Sequence, residues 1–182
     1  MLAPALAWEV LHSAERLCSA AAVTQALQRV AADITGALAK DNPLVLCVMG
    51  GAVVFGGQLL PLLNFPLDFD YLHLTRYGNA ISGGHVEWKV FPATAVAGRT
   101  VLVIDDILDE GHTLVEIRAR VLAAGAARFY SVVFVDKDIG RPKPIAADFV
   151  GVKLPNRYLF GFGMDIKGAW RNLPEIYALK QD

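Results

Sequence analysis

The chain is short of charge and shorter still of sulfur. Of its 182 residues, 17 are Lys or Arg and 18 are Asp or Glu, a formal net charge of −1. That balance gives no general reason to bind nucleic acid or an anionic membrane. Cys18 and Cys47, each in apolar surroundings, are too few for a disulfide framework or a zinc site. They read as buried thiols in a reducing, cytoplasmic setting. The opening MLAPALAWEVLHSAER has no basic stretch before its apolar residues, so it lacks the form of a secretory signal. GxxxxGK[ST], a GxGxxG after a strand and EF-hand spacing are all missing, which removes support for P-loop, dinucleotide and calcium-loop chemistries. His12, His73, His85 and His112 fall without ligand spacing and read as surface or packing residues.

Charge is absent altogether from Asn42 to Leu67, a run long enough to cross a bilayer. Gly50-Gly51, Gly56-Gly57, Pro61, Asn64 and Pro66 break it, however, and a strand, a turn and a buried helix account for it better. With 54% hydrophobic and 19% charged residues, the chain can bury a core and reads as one domain over 1–182.

Along the chain, Ser13 to Lys40 has helical composition, ended by Asp41-Asn42-Pro43. LVLCVM (44–49) is an unbroken apolar run, the pattern of a strand covered on both faces. A glycine turn and an apolar helix to about Leu63 follow. FPLDFDYLHL (65–74) alternates, with Leu67, Phe69 and Tyr71 set against Asp68 and Asp70. RYGNAISGGHVE (76–87) lacks any period and reads as a long mobile loop. Strands are expected at 100–105, 129–135, 148–152 and 157–160, and a helix at 112–124 stopped by Gly125. This alternation predicts an α/β fold with a mostly parallel twisted sheet flanked by helices, whose ligands sit beyond the carboxyl ends of the strands.

VLVIDDILDEGHT (101–113) crowds Asp105, Asp106, Asp109 and Glu110 at the end of the most apolar strand. One such acid is commonly a helix N-cap, but four cannot all be caps. Asp109-Glu110-Gly111-His112-Thr113 opens a helix, where backbone N–H groups can hold a phosphate. Asp105 and Asp106 then stand where an attached ribose presents its hydroxyls, which carboxylates bind directly or through a divalent cation.

The stretch resembles the phosphoribosyl-pyrophosphate motif of the type I phosphoribosyltransferases, and the rest of the chain resembles their hypoxanthine-guanine branch over roughly residues 13–179. VMGGAVVF (48–55) is similar to that branch's pyrophosphate loop, and DFDYLHLTRYGN (68–79) to the strand entering its flexible loop. VVFVDK (132–137) is similar to the strand that ends in the purine-recognising lysine, and residues 148–176 to the C-terminal hood. The resemblance implies a core over about 35–150 and a hood mainly from 150–182 with part of the N-terminus. It implies purine salvage: phosphoribosyl transfer from phosphoribosyl pyrophosphate to hypoxanthine or guanine, giving the nucleotide and pyrophosphate.

Carried over by position, it makes Asp109 the general base near purine N7 and Tyr77 the lid residue. Asp105 and Asp106 hold the ribose hydroxyls and the magnesium shell, and Glu110, Gly111, His112 and Thr113 the 5′-phosphate. Lys137 donates to the purine 6-oxo group, Tyr158 stacks on the base, and the Leu159 backbone meets its Watson–Crick edge. Asp165 contacts a second Mg2+, and Arg171 meets the pyrophosphate with Gly50 and Gly51. Outside that context an aromatic in a strand is usually core, and a lysine at a strand exit usually a solvated charge. The resemblance also implies a cytoplasmic homodimer or homotetramer without nucleic-acid or membrane partners.

Three positions depart from the branch. Gly50 stands where a lysine is common, Glu110 where threonine is usual, and Arg76 where a serine precedes the lid tyrosine. Arg76 is expected to return the missing positive charge, and Glu110 to turn its carboxylate away from the phosphate. The alternatives are a xanthine-preferring enzyme, or a regulator that keeps the fold and binds RNA. The balanced charge argues against the second.

Overall fold

The computed structural model describes residues 2–77 and 85–180, which covers all the expected elements except the middle of the 76–87 segment. Six strands form one sheet in the order β4-β3-β2-β5-β6-β7: β2 (Leu44–Met49), β3 (Asp68–Tyr77), β4 (His85–Val90), β5 (Thr100–Leu108), β6 (Arg128–Asp138) and β7 (Phe149–Pro155). All neighbours are parallel except β4, which returns antiparallel along β3. Residues Leu44 to Val48 and Val101 to Ile104 are buried, as runs without alternation require when both faces of a strand are covered.

Helix α2 (Ala20–Leu38) begins at Ser19, whose side chain accepts from the Ala22 N–H at 3.3 Å. It buries Val23, Leu27, Val30, Ile34 and Leu38, a helical stripe laid toward β7. Helix α3 (Val53–Leu59) runs into a short 3-10 turn at Leu60–Leu62, and α4 (His112–Ala123) buries Leu114, Ile117 and Val121. Phe134 of β6 packs against Phe55 of α3 and Phe162 of the hood, with ring centroids 5.2 and 4.4 Å apart.

A second, three-stranded sheet joins distant parts of the chain in the order β1-β9-β8: β1 (Glu15–Cys18), β9 (Ile176–Ala178) and β8 (Leu159–Phe160). Helix α1 (Pro4–Ser13) packs beside it, where Trp170 Nε1 donates to the Ala7 carbonyl at 2.8 Å.

The structure revises four expectations. The helix expected from Ser13 starts at Ala20, because Glu15–Cys18 is drawn into strand pairing with Ile176–Ala178. The face of β3 is reversed: Leu72 and Leu74 are buried, while Phe69 and Tyr71 are 47% and 42% exposed. Alternation separates two faces without saying which one is covered. Arg76 and Tyr77 belong to β3 and His85 to Glu87 to β4, so the outer parts of the expected loop are a strand pair; 78–84 lie outside the described residues. Finally, β5 continues through Asp105 and Asp106 to Leu108, held by its ladder to β6.

Candidate active site

The site is assembled where β5 and β6 end, beside the turn after β2 and under the hood. Asp105 is buried, and its Oδ1 accepts from the Asp106 N–H at 3.0 Å. Burial, and then the neighbouring Asp106 charge, push its carboxyl well above the usual range. Burial likewise raises Asp106. Beneath them burial, and then the charges of Asp105 and Asp106, push the Cys47 thiol up to about 12, so it is an inert packing group.

The turn after β2 presses on these acids. A Cβ on Gly51 would fall 2.0 Å from Asp106 Oδ2, so a side chain there would force the Asp106 carboxylate to move. Gly163 closes the same point from the hood: its φ is +101°, and a Cβ would lie 2.1 Å from the Gly51 carbonyl oxygen. The Met49–Gly50 peptide of this turn is cis.

Residues 109–113 form the expected curl. Gly111 precedes α4 with φ 89°, and no side chain caps the helix. The free N–H groups of the first turn are thus left for a ligand. Residues 109–114 line a cavity of about 210 Å³ with Asp105 and Asp106. The carboxylate of Glu110 is bonded to Arg141 at 2.8 Å, with His112 Nε2 3.9 Å away, so its charge is answered on the spot.

A second cavity, about 270 Å³, brings together Asp106, Asp109, Lys137, Tyr158, Leu159, Asp165 and Arg171. Lys137 Nζ donates to Asp109 Oδ2 at 2.8 Å, although 28 residues separate them. Tyr158 is 52% exposed rather than core, its hydroxyl donating to the Asp165 carbonyl at 3.3 Å, while Leu159 is buried. Arg171 meets Asp165 Oδ1 at 2.5 Å and donates to the Gly163 carbonyl at 2.7 Å. The other Asp165 oxygen accepts from the Gly168 N–H at 2.6 Å. Behind Lys137 a larger cavity of about 380 Å³ is lined by Arg141, Lys143 and Lys153, but it includes none of the acids of β5 and neither Asp109 nor Tyr158.

Among the described residues no three His, Cys, Asp or Glu side chains converge to hold a metal ion unaided. Asp105 and Asp106 nevertheless suit Mg2+, which binds through one or two carboxylates plus substrate oxygens. Burial is the main cause of their raised proton affinity, and for Asp106 the Arg171 charge acts against it, so a bound cation would relieve a cost that the protein meets only in part.

The sequence reading brought together most of this set. It missed Ile107 and Met164, which also line the second cavity, and Gly163, whose only signal was the Gly-Phe-Gly spacing at 161–163. It also missed Arg141 and Lys143, which sit in a connection with no period of its own. Arg76 and Tyr77 end β3, and their side chains lie outside the described residues.

Residues 13–167 match the model of the phosphoribosyl transferase domain. The chain belongs to the phosphoribosyltransferase family. Relatives of the hypoxanthine-guanine branch are among those it resembles. A hypoxanthine-guanine-xanthine phosphoribosyltransferase of Tritrichomonas foetus is 33% identical over 160 residues, 87% of each chain. The hypoxanthine-guanine phosphoribosyltransferase of Bacillus subtilis is 33% identical over 171 residues, 93% of this chain and 95% of its own. Among solved structures, a hypoxanthine-guanine-xanthine phosphoribosyltransferase superposes with a TM-score of 0.83 at 31% identity, covering 92% of this chain and 97% of the other.

Proposed function

We propose that the protein transfers the phosphoribosyl group of phosphoribosyl pyrophosphate to hypoxanthine and guanine, in purine salvage. The observation that carries this reading is the second cavity, where one acid and one ammonium 2.8 Å apart face an exposed aromatic ring. A 6-oxopurine presents N7 and O6 side by side on one edge. Lys137, with three donors and no acceptor, matches O6, and Asp109 matches an N7 proton. Tyr158 offers its ring for stacking, and the Leu159 backbone meets the Watson–Crick edge.

In the reaction, purine N9 attacks the anomeric carbon of the ribose. The bond from that carbon to the pyrophosphate oxygen breaks, and pyrophosphate leaves with the electron pair. Asp109 takes the N7 proton, so the purine reaches the nucleotide neutral. Glu110 to Thr113 hold the 5′-phosphate on the α4 N-terminus, and Asp105 and Asp106 receive the ribose hydroxyls. Arg171, with Gly50 and Gly51, meets the pyrophosphate, and Arg76 supplies the cation that Gly50 does not. Tyr77 closes over the site to exclude water. Asp105 and Asp106 would hold one Mg2+ and Asp165 would contact a second, each together with substrate oxygens, and the metal would neutralise pyrophosphate charge. The reading includes a core over about 35–150 with a hood from the chain ends, and a cytoplasmic homodimer or homotetramer.

The test is an assay of purified protein with Mg2+, phosphoribosyl pyrophosphate and each of hypoxanthine, guanine, xanthine and adenine. Hypoxanthine and guanine are expected to be consumed and adenine refused. Equal use of adenine would overturn both the branch-level activity and the role of Lys137. Xanthine is the open arm, because the Tritrichomonas foetus relative carries xanthine in its name.

A further inference from the structure

Lys143 occupies a place that none of these roles explains. Its ammonium donates to the Leu108 carbonyl at 2.6 Å and to Asp136 Oδ1 at 2.6 Å, and its side chain is only 11% exposed. Leu108 and Asp136 are not arbitrary partners. They are the facing pair at which the β5–β6 ladder ends. The residues that follow them are Asp109 and Lys137, so the ladder no longer sets the spacing of the two groups that are to meet the purine edge.

The support for this ammonium is stiff. Lys143 stands between Pro142 and Pro144. Pro142 fixes its own φ, and Pro144 keeps Lys143 in extended backbone. The same segment borders the phosphate loop: a Cβ on Gly111 would lie 3.2 Å from Ile145 Cγ2 and 3.4 Å from Pro144 Cδ. A nearly buried ammonium needs good partners for its donors. Lys143 has found them one residue upstream of the base and one residue upstream of the purine lysine.

We propose that Lys143 is a positioning residue for the transfer step. It ties the ends of β5 and β6 so that the Asp109 carboxylate and the Lys137 ammonium stand at the spacing of N7 and O6. The inference rests on the proposed function. Removing Lys143 leaves the Leu108 carbonyl and the partly buried Asp136 without their shared donor and lets the strand ends part. A base and a donor displaced by about 1 Å can lose about 10²-fold in rate.

The test is steady-state kinetics of Lys143→Met and Lys143→Arg alongside melting temperatures. In Lys143→Met, kcat/KM for hypoxanthine should fall roughly 10- to 100-fold, up to the cost of a 1 Å misplacement. The KM for phosphoribosyl pyrophosphate should stay near the wild type, and the preference for hypoxanthine over adenine should narrow. Lys143→Arg, which keeps donors for both partners, should recover most of both. A merely structural role would lower the melting temperature and the active fraction while leaving the hypoxanthine-to-adenine ratio untouched, and that result overturns the proposal. If Lys143→Met does not fold, Asp136→Asn decides: it should shift the hypoxanthine parameters the same way by a smaller factor, and unchanged parameters overturn the proposal. Inactivity of the wild type on hypoxanthine would overturn the function and the clamp together; an active wild type with an unaltered, folded Lys143→Met overturns the clamp alone.

Discussion

Asp109 and Lys137 show how a single pair can hold two jobs in reserve. They satisfy each other at 2.8 Å, so neither is a stranded charge. A purine edge replaces that contact with one bond to each. Asp109→Asn keeps the shape and an acceptor but cannot take the proton. Turnover is expected to drop by about 10²–10⁴-fold with substrate affinity largely kept; an unchanged kcat would remove Asp109 from the role of base. Lys137→Gln is expected to reduce activity on hypoxanthine and to narrow its lead over adenine, because adenine's amino group then meets a side chain that can also accept. The measurement is the ratio of the two kcat/KM values. Much of this was legible in the sequence, since acids, a glycine and a hydroxyl packed into five positions have few structural uses. Gly163 was not, because its reason is a carbonyl of Gly51, more than a hundred residues away. Gly163→Ala is accordingly expected to lower the melting temperature and weaken phosphoribosyl pyrophosphate binding together.

At the scale of the element, β5 carries a conflict. It is one of the most buried strands of the sheet and yet bears Asp105 and Asp106 next to each other. Both carboxyls have folded-state proton affinities raised above their ordinary values, chiefly by burial. The folded protein therefore holds protons that the unfolded chain has released. For these groups stability is fully present below the ordinary carboxylate range and is lost as pH rises toward the raised values. In buffer free of metal and substrate, the melting temperature should fall over that window. Asp105→Asn should flatten the fall and raise the melting temperature at neutral pH, by about 2–4 °C for each kcal/mol relieved, while abolishing transfer. A pH profile unaltered by the substitution would show that the buried charge is no burden. The sequence showed the acids but not that the strand runs through them, because no local pattern reveals a ladder to β6. The same blindness explains β1: Glu-Arg-Leu-Cys has no strand period, and only its pairing with β9 makes it one. In β3 the alternation was visible, but the cover over Leu72 and Leu74 is a matter of packing and was not.

The whole molecule is expected to be braced by its substrate. Phosphoribosyl pyrophosphate with Mg2+ would give Asp105 and Asp106 a counter-charge and fill the N–H groups at α4. A ligand at about a hundred times its Kd adds about 2.7 kcal/mol, which for a chain of this size reads as roughly 5–11 °C in the melting temperature. Chelating the metal should remove most of that shift; an equal shift without metal would detach the two acids from any cation. The hood sheet carries a further consequence. Tyr158, Leu159, Asp165 and Arg171 all come from the last part of the chain, and β9, which pairs with β1, comes later still. During synthesis the six strands of the large sheet leave the ribosome before β8 and β9 do. The 5′-phosphate loop, Asp109 and Lys137 thus exist in outline before Tyr158, Leu159, Asp165 and Arg171 are made. A nascent chain paused before residue 176 would leave β1 waiting for a partner that has not yet been translated.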